Sequence, residues 1–494
     1  MPKIFLLHIA FLFISCGFAQ TGEEPRKPNT YVQQYADEMM QKSSLKQAAF
    51  SFYVKDMESG EIVAQFNEEM AIPSASTMKL VTTATATQFL GRGYTFNTEL
   101  RYTGTLDTIS GILHGDLYII GGGDPTLGSR YYNDEGHERD VLYEWAEKVK
   151  SAGIKEVNGR IIADGSKYNY DGVPSGWVWG DLGNYYGAGP AGLSIFDNMC
   201  KLHFSTPKNA GEQTELTCIT PYIPGLTIQN RVKSADSNGD NAYVYGAPFS
   251  LDWFVEGSIP KNREDFTVKA SIPDPEFVVA IEFDQVLGES GVHVCYAPIT
   301  MRQLNKNLPF EKPEMTLIHT HESPSLASIM NWVNKKSINL FAEHVLCEIS
   351  YKKSGYGSTY NGAQYCMNYW QNKVGNGLFM TDGSGLSRSN AVSASFLVRL
   401  LTYMHKTNSG ESFKSSLAVA GKSGTMAGIG RGTSAAGRVY GKSGTMTRIK
   451  SYAGYVDTQS GKKLAYAMII NNHSCSNAQV KKYFQYLMVK MARY

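Results

Sequence analysis

The amino-acid sequence predicts one α/β domain split by a large β-rich insertion, and three observations carry that prediction. Strand-like alternation and an apolar helix open the chain, short strands and Gly-rich turns fill its middle, and helices followed by a hairpin close it. A simple series of separate domains would not return to the opening texture at its end. The length agrees, because 494 residues are too many for one ordinary core.

At the N-terminus, "MPKIFLLHIAFLFISCGFAQ" places one Lys before an apolar run from Ile4 to Ile14, with Gly17 and Ala19 three and one residues before Gln20. This is the pattern of a secretory signal peptide over 1–19, and its apolar run is too short to span a bilayer. Cys16 carries a second reading, lipoprotein processing at "FISC", although Phe13 matches that pattern poorly. An exported protein, periplasmic or otherwise extracytoplasmic, is therefore expected, with no transmembrane span in the mature chain. A polar, Pro-containing leader covers 20–30. "AAFSFYVKDMESGEIVAQFNEEM" reads as a hairpin with strands near 48–55 and 61–66, and "TMKLVTTATATQFLG" as a helix stopped by Gly91. From about 95 to 300 the pattern is short strands with few helical stretches. "SLASIMNWVNKKSINLFAEHVLCEI" and "SASFLVRLLTYMHKT" restore helical periodicity. "RIKSYAGYVDTQSGKKLAYAMIINNH" gives two strands about "TQSGK", and a final helix starts near Ser476.

Composition narrows the function. The chain is 42% hydrophobic and 19% charged, as globular proteins are, and a net charge of +2 excludes a nucleic-acid surface built on a basic stripe. Beyond the leader stand Cys200, Cys218, Cys295, Cys347, Cys366 and Cys475. None has CxxC spacing, so zinc or thioredoxin-like chemistry is not indicated. Disulfides and buried free thiols remain equal alternatives.

Three short patterns can carry chemistry. In "Ser76-Thr77-Met78-Lys79" the i and i+3 positions share a helical face, so an amine sits beside a hydroxyl. A Lys of lowered pKa can take the proton of such a Ser, and a helix N-terminus favours a developing oxyanion. Taken alone, the pattern is a weak signal and reads better as an N-cap Ser with an exposed Lys. "Lys336-Ser337-Ile338-Asn339" puts a hydroxyl and an amide two residues apart, able to relay a proton and hold a substrate amide; its bland reading is a polar junction between helices. "GKSGTM" occurs twice, at 421–426 and 441–446. On an edge strand, Lys and hydroxyls can bind a carboxylate while Gly admits a substrate backbone. The second copy runs into "MTRIKSYAGYV" and is expected on a strand, whereas the first runs into "AGIGRGTSAAGRVYG" and is expected in a loop. Neither is a P-loop: Gly437 is one residue too close to Gly441, and Ser416 stands where the first copy would need its leading Gly.

Other clusters fare less well. "DGSGLSRSN" (Asp382 to Asn390) reads as a loop near the cleft, "His319-Thr320-His321-Glu322" as a solvated loop without a metal, and "GGGDP" as a turn.

Ser-x-x-Lys, Ser-x-Asn and Lys-[Ser/Thr]-Gly in that order form the set shared by penicillin-binding proteins and serine β-lactamases. With "IPSASTMKLVTT", "LYIIGGGDPTL", "NYYGAGPAGLSIFDN", "KKSINLFAEHVL", "DGSGLSRSN" and "SYAGYV", the chain resembles the D-alanyl-D-alanine carboxypeptidase/endopeptidase family of class C penicillin-binding proteins over roughly 45–470. The resemblance implies a β-lactamase/transpeptidase-like domain, an antiparallel sheet flanked by helices, in two parts (20–95 and 305–494) around an inserted 96–304. It implies Ser76 as acylated nucleophile, Lys79 as its base, Ser337 as a catalytic hydroxyl, and Asn339, Lys442, Ser443, Gly444 and Thr445 as substrate-binding residues. The backbone N–H groups of Ser76 and Thr445 would form the oxyanion hole. Two positions depart from the usual pattern: Ser443 stands where Thr is usual, and Ile338 where Asp is usual. The implied partners are peptidoglycan stem peptides, with β-lactam antibiotics as covalent inhibitors and no metal or organic cofactor. A β-lactamase or esterase on the same scaffold, and a non-catalytic cell-wall or β-lactam-binding protein, are the rival readings.

Overall fold

The computed structural model describes residues 28–305 and 313–494, so the leader over 1–19 lies outside the described residues. Thr30 caps the first helix, α1 (Tyr31–Met40), by accepting from the Gln33 amide. The expected hairpin is present as β1 (Ala49–Asp56) and β2 (Ile62–Phe66), paired antiparallel with Phe52 opposite Phe66. A 3₁₀ turn over Ala75–Met78 then feeds α2 (Lys79–Phe89), after which Gly91 adopts φ +81°, a left-handed conformation suited to a helix stop.

Among the described residues, the middle of the chain contains one five-stranded sheet, one four-stranded sheet and two three-stranded sheets. The five-stranded sheet uses β3 (Asn97–Tyr102), β4 (Leu117–Ile120), β5 (Ile161–Asp164), β6 (Ile299–Thr300) and β7 (Thr316–Glu322), in the order β6-β5-β4-β3-β7. Two helices here go beyond the expectation of few helical stretches. α3 (Asp140–Ser151) buries Leu142, Trp145, Ala146 and Val149, one apolar stripe at helical spacing. It supplies the crossover that the parallel pair β4–β5 requires. α4 (Pro275–Glu289) is apolar on most of its faces, so its period is masked; Asp274 caps it by accepting from the Phe277 amide. The reading of His319–Glu322 as a solvated loop is corrected: these residues lie on β7, hydrogen-bonded to β3, with both imidazoles half-buried. A bulge between Leu317 and His319 breaks the alternation that would have marked the strand.

The returning chain forms α5 (Leu326–Lys336), α6 (Asn339–Ser354), α7 (Thr359–Val374) and α8 (Ala394–His405). Strands β8 (Ala418–Val419), β9 (Val439–Met446), β10 (Ile449–Asp457) and β11 (Lys463–Asn471) precede the last helix, α9 (Asn477–Arg493). Together with the opening hairpin they make a six-stranded sheet in the order β2-β1-β11-β10-β9-β8. Both faces are covered. On β11, Ala465, Ala467 and Ile469 face the cluster built from α2 and α5 to α8, while Leu464, Tyr466, Met468 and Ile470 face the cluster that includes residues of α1 and α9. Each cluster draws on both ends of the chain. A separate cluster runs from Leu100 to Val292, wholly within the middle segment. The six cysteines among the described residues are unpaired thiols, with Cys200, Cys347 and Cys366 buried.

Candidate active site

Five segments far apart in sequence meet at one cleft of about 330 Å³, lined among others by Ser76, Ser337, Asn339 and Thr445. Ser76 lies in the 3₁₀ turn that begins at Ala75, whose φ is +48°. The turn is held from the sheet: Ser451 Oγ donates to the Ser74 carbonyl at 2.5 Å, and Thr77 Oγ1 donates to the same oxygen at 2.9 Å. Lys79, one helical turn on, is completely buried beneath Ser76.

The Lys79 amine makes three hydrogen bonds, to Ser76 Oγ at 3.0 Å, Asn339 Oδ1 at 2.6 Å and the Ser384 carbonyl at 2.6 Å. The last two partners can only accept. A neutral amine has two hydrogens and a lone pair, so those two oxygens hold the hydrogens and the lone pair faces the Ser76 hydroxyl. Burial lowers the Lys79 pKa, and the carboxylates of Glu343 and Asp382 oppose that fall. The geometry is that of a general base poised on a nucleophile.

Ser337 terminates α5 in the left-handed conformation, φ +66°, and α6 begins two residues later at Asn339. This break turns both polar side chains of the Ser-x-Asn pattern to the cleft. Asn339 Nδ2 donates to the Tyr186 carbonyl at 2.8 Å, which fixes its Oδ1 toward Lys79. Ser337 Oγ accepts from Lys442 Nζ at 2.8 Å.

The second "GKSGTM" copy lies on β9. Its inner edge pairs with β10, but β8 reaches only Tyr440 and Gly441, so the outer edge beyond Gly441 has no strand partner among the described residues. An extended peptide can add there as a further strand. A side chain at Gly444 has no room: a Cβ would lie 2.2 Å from Ser451 Oγ and 2.6 Å from the Ser74 carbonyl. Lys442 is buried, and burial with the nearby Lys79 and Lys450 ammonium groups pushes its pKa well down. The first copy forms a turn and a 3₁₀ segment at Gly424–Met426, and its Thr425 accepts a 2.8 Å hydrogen bond from Ser443 Oγ. It follows β8 directly and touches β9 through the Ser443 side chain.

Several residues at the site escaped the sequence reading. Glu343, one turn beyond Asn339 on α6, accepts from the amides of Gly383 and Ser384 at 2.9 and 2.7 Å and so sets the Ser384 carbonyl against Lys79. Asp382 organises the same "DGSGLSRSN" loop, accepting from Gly385, Ser387, Asn390 and the Trp177 indole. Asp181, Tyr186 and Arg388 line the cleft. Glu343 lies at i+4 from Asn339, but in sequence alone neither it nor Asp181 stands out from solvated carboxylates.

A hydroxyl on a helix-entry turn, a buried amine 3.0 Å from it and an open edge strand beside it form an arrangement suited to serine acyl transfer. The chain belongs to the D-Ala-D-Ala carboxypeptidase 3 (S13) family, whose model matches residues 32–493. A D-alanyl-D-alanine carboxypeptidase of Actinomadura sp. is 28% identical over 462 residues, covering 90% of this chain and 82% of that protein. The D-alanyl-D-alanine carboxypeptidase DacB of Haemophilus influenzae is 25% identical over 445 residues, 87% of each chain. The crystal structure of penicillin binding protein 4 (dacB) from Haemophilus influenzae has the same fold, with a TM-score of 0.79 at 23% identity over 93% of this chain and 99% of that one.

Proposed function

We propose that the protein is a serine-type D-Ala-D-Ala carboxypeptidase that trims peptidoglycan stem peptides outside the cytoplasm. The family and its named relatives support the activity. The single observation that carries the mechanism is the Lys79 amine, 3.0 Å from Ser76 Oγ and held by two acceptor-only oxygens, so that its neutral form turns its lone pair to Ser76. Ser76 Oγ bonds to the carbonyl carbon of the penultimate D-Ala while Lys79 takes its proton. The C–N bond then breaks, and the leaving amine takes the proton that Lys79 removed from Ser76, passed on through the Ser337 hydroxyl, which returns Lys79 to its neutral form. Water hydrolyses the resulting ester and restores Ser76. Lys442 faces the terminal carboxylate through the open end of β9; an arriving carboxylate supplies the counter-charge that favours its ammonium form. The amides of Ser76 and Thr445 receive the oxyanion.

The cleft also offers one anion and one cation, Asp181 and Arg388. That pair suits a substrate carrying both charges, as a diaminopimelate end does, so cross-link cleavage is the second activity proposed. A solved Haemophilus influenzae relative is complexed with a β-lactam, and by the same chemistry β-lactams should acylate Ser76 here. Export fits the substrate, and among the described residues no helix is long and apolar enough to cross a membrane. We take 96–304 as an inserted unit between the two penicillin-binding parts, 20–95 and 305–494; the separate Leu100 to Val292 cluster supports this. The test is release of D-Ala from a stem pentapeptide. The wild type should release it and Ser76→Ala should not; an unaffected Ser76→Ala rules the mechanism out.

A further inference from the structure

Strand β7 forms the outer edge of its sheet, hydrogen-bonded among the described residues to β3 alone. His319 and His321 stand two residues apart on it and therefore share a face. That face meets α3. The Trp145 ring lies edge-on to His321, with centroids 5.9 Å apart, and Glu144 Oε1 lies 3.7 Å from His319 Nε2. This nitrogen is buried and has no hydrogen-bond partner among the described residues, since 3.7 Å is too long for one. A buried imidazole nitrogen without a partner is costly, so a group that satisfies it is favoured. Ligand atoms of Glu144, His319 and His321 all lie within 4.8 Å of one another.

We propose that Glu144, His319 and His321 bind a divalent transition-metal ion of the zinc type. Two imidazoles and a carboxylate are the donor set that zinc and its neighbours prefer, with a fourth position left for water. Tetrahedral zinc at about 2.0–2.2 Å from each ligand places them roughly 3.4 Å apart. Glu144 is the exposed member of the three, so its carboxylate has room to approach the two half-buried imidazoles. Lys148, one turn further along α3, is the opposing cation that acts on His319. The bound ion would tie α3 to the strand that returns the chain toward α5 and Ser337. It is a clip between elements, with no part in the acyl transfer.

The test is calorimetric titration of the untagged protein with Zn²⁺ near pH 7, alongside thermal melts. One equivalent should bind at this site and raise the melting temperature. His319→Ala and His321→Ala should each weaken binding by more than about 100-fold, beyond the roughly 10–100-fold loss usual for an outer-shell partner. Glu144→Gln, an exposed change that leaves the fold undisturbed, should weaken it as well. D-Ala release should be unchanged in all three, which also reports that they are folded. Wild-type protein that binds no zinc, or a His319→Ala/His321→Ala double variant that binds it as tightly as the wild type, overturns the proposal.

Discussion

At the scale of single residues, the proposed mechanism turns on Lys79. Its amine is useful as a base only when neutral, and burial lowers its pKa from the ordinary 10.5. Acylation by a fluorescent penicillin should therefore speed up as pH rises, with a midpoint well below the usual lysine range. Glu343 holds that pKa up, so removing its charge in Glu343→Gln should move the midpoint to lower pH; a midpoint that stays or rises contradicts the assignment. Lys79→Ala should slow acylation by about 10²–10⁴-fold, the usual worth of a positioned base. The proximity of Ser76 and Lys79 was legible because the i, i+3 spacing puts a hydroxyl beside an amine, and the two lie 3.0 Å apart. Glu343 was not, since a lone carboxylate in a helical run reads as a solvated face, and only folding shows it buried against the Gly383 and Ser384 amides.

At the scale of elements, the decisive features are a helix break and an open strand. Ser337 holds φ +66°, which costs a non-Gly residue roughly 1–2 kcal/mol. Ser337→Gly should thus be more stable than Ser337→Ala by about 1 kcal/mol in denaturant melts, while both lose the hydroxyl and should lose D-Ala release equally. Equal stability would mean that the turn is not strained. The twin "GKSGTM" segments differ in the chain just downstream of each: a strand needs a hairpin partner, and only the second copy has one, β10. Lys442→Ala should abolish acylation and Lys422→Ala should leave it intact, since Lys422 packs against Gly437 on the far side of the turn. The reverse outcome would mean that the first copy serves the site.

Across the whole molecule, the six-stranded sheet joins the two ends of the chain, so the opening hairpin and the closing strands share one cooperative core. Trp370 is fully buried in that core, its indole donating to Thr85 Oγ1 at 2.8 Å. Trp370→Ala should cost about 3–5 kcal/mol in denaturant melts, far above the effect of an exposed change such as Tyr360→Ala. The return of the chain to its first sheet was visible in the order of textures along the sequence. Helix α4 was hidden because it is apolar on nearly every face, and β7 because a bulge interrupts its alternation. The position of Ser76 against Asn339, Ser384 and β9 depends on packing across more than 250 residues, which local spacing does not encode. The most direct test of that assembly is a labelled penicillin followed by mass mapping of the adduct. The label should sit on the peptide containing Ser76, in a one-to-one ratio, and vanish in Ser76→Ala; label on another peptide, or label that persists in Ser76→Ala, contradicts the assignment of Ser76 as nucleophile.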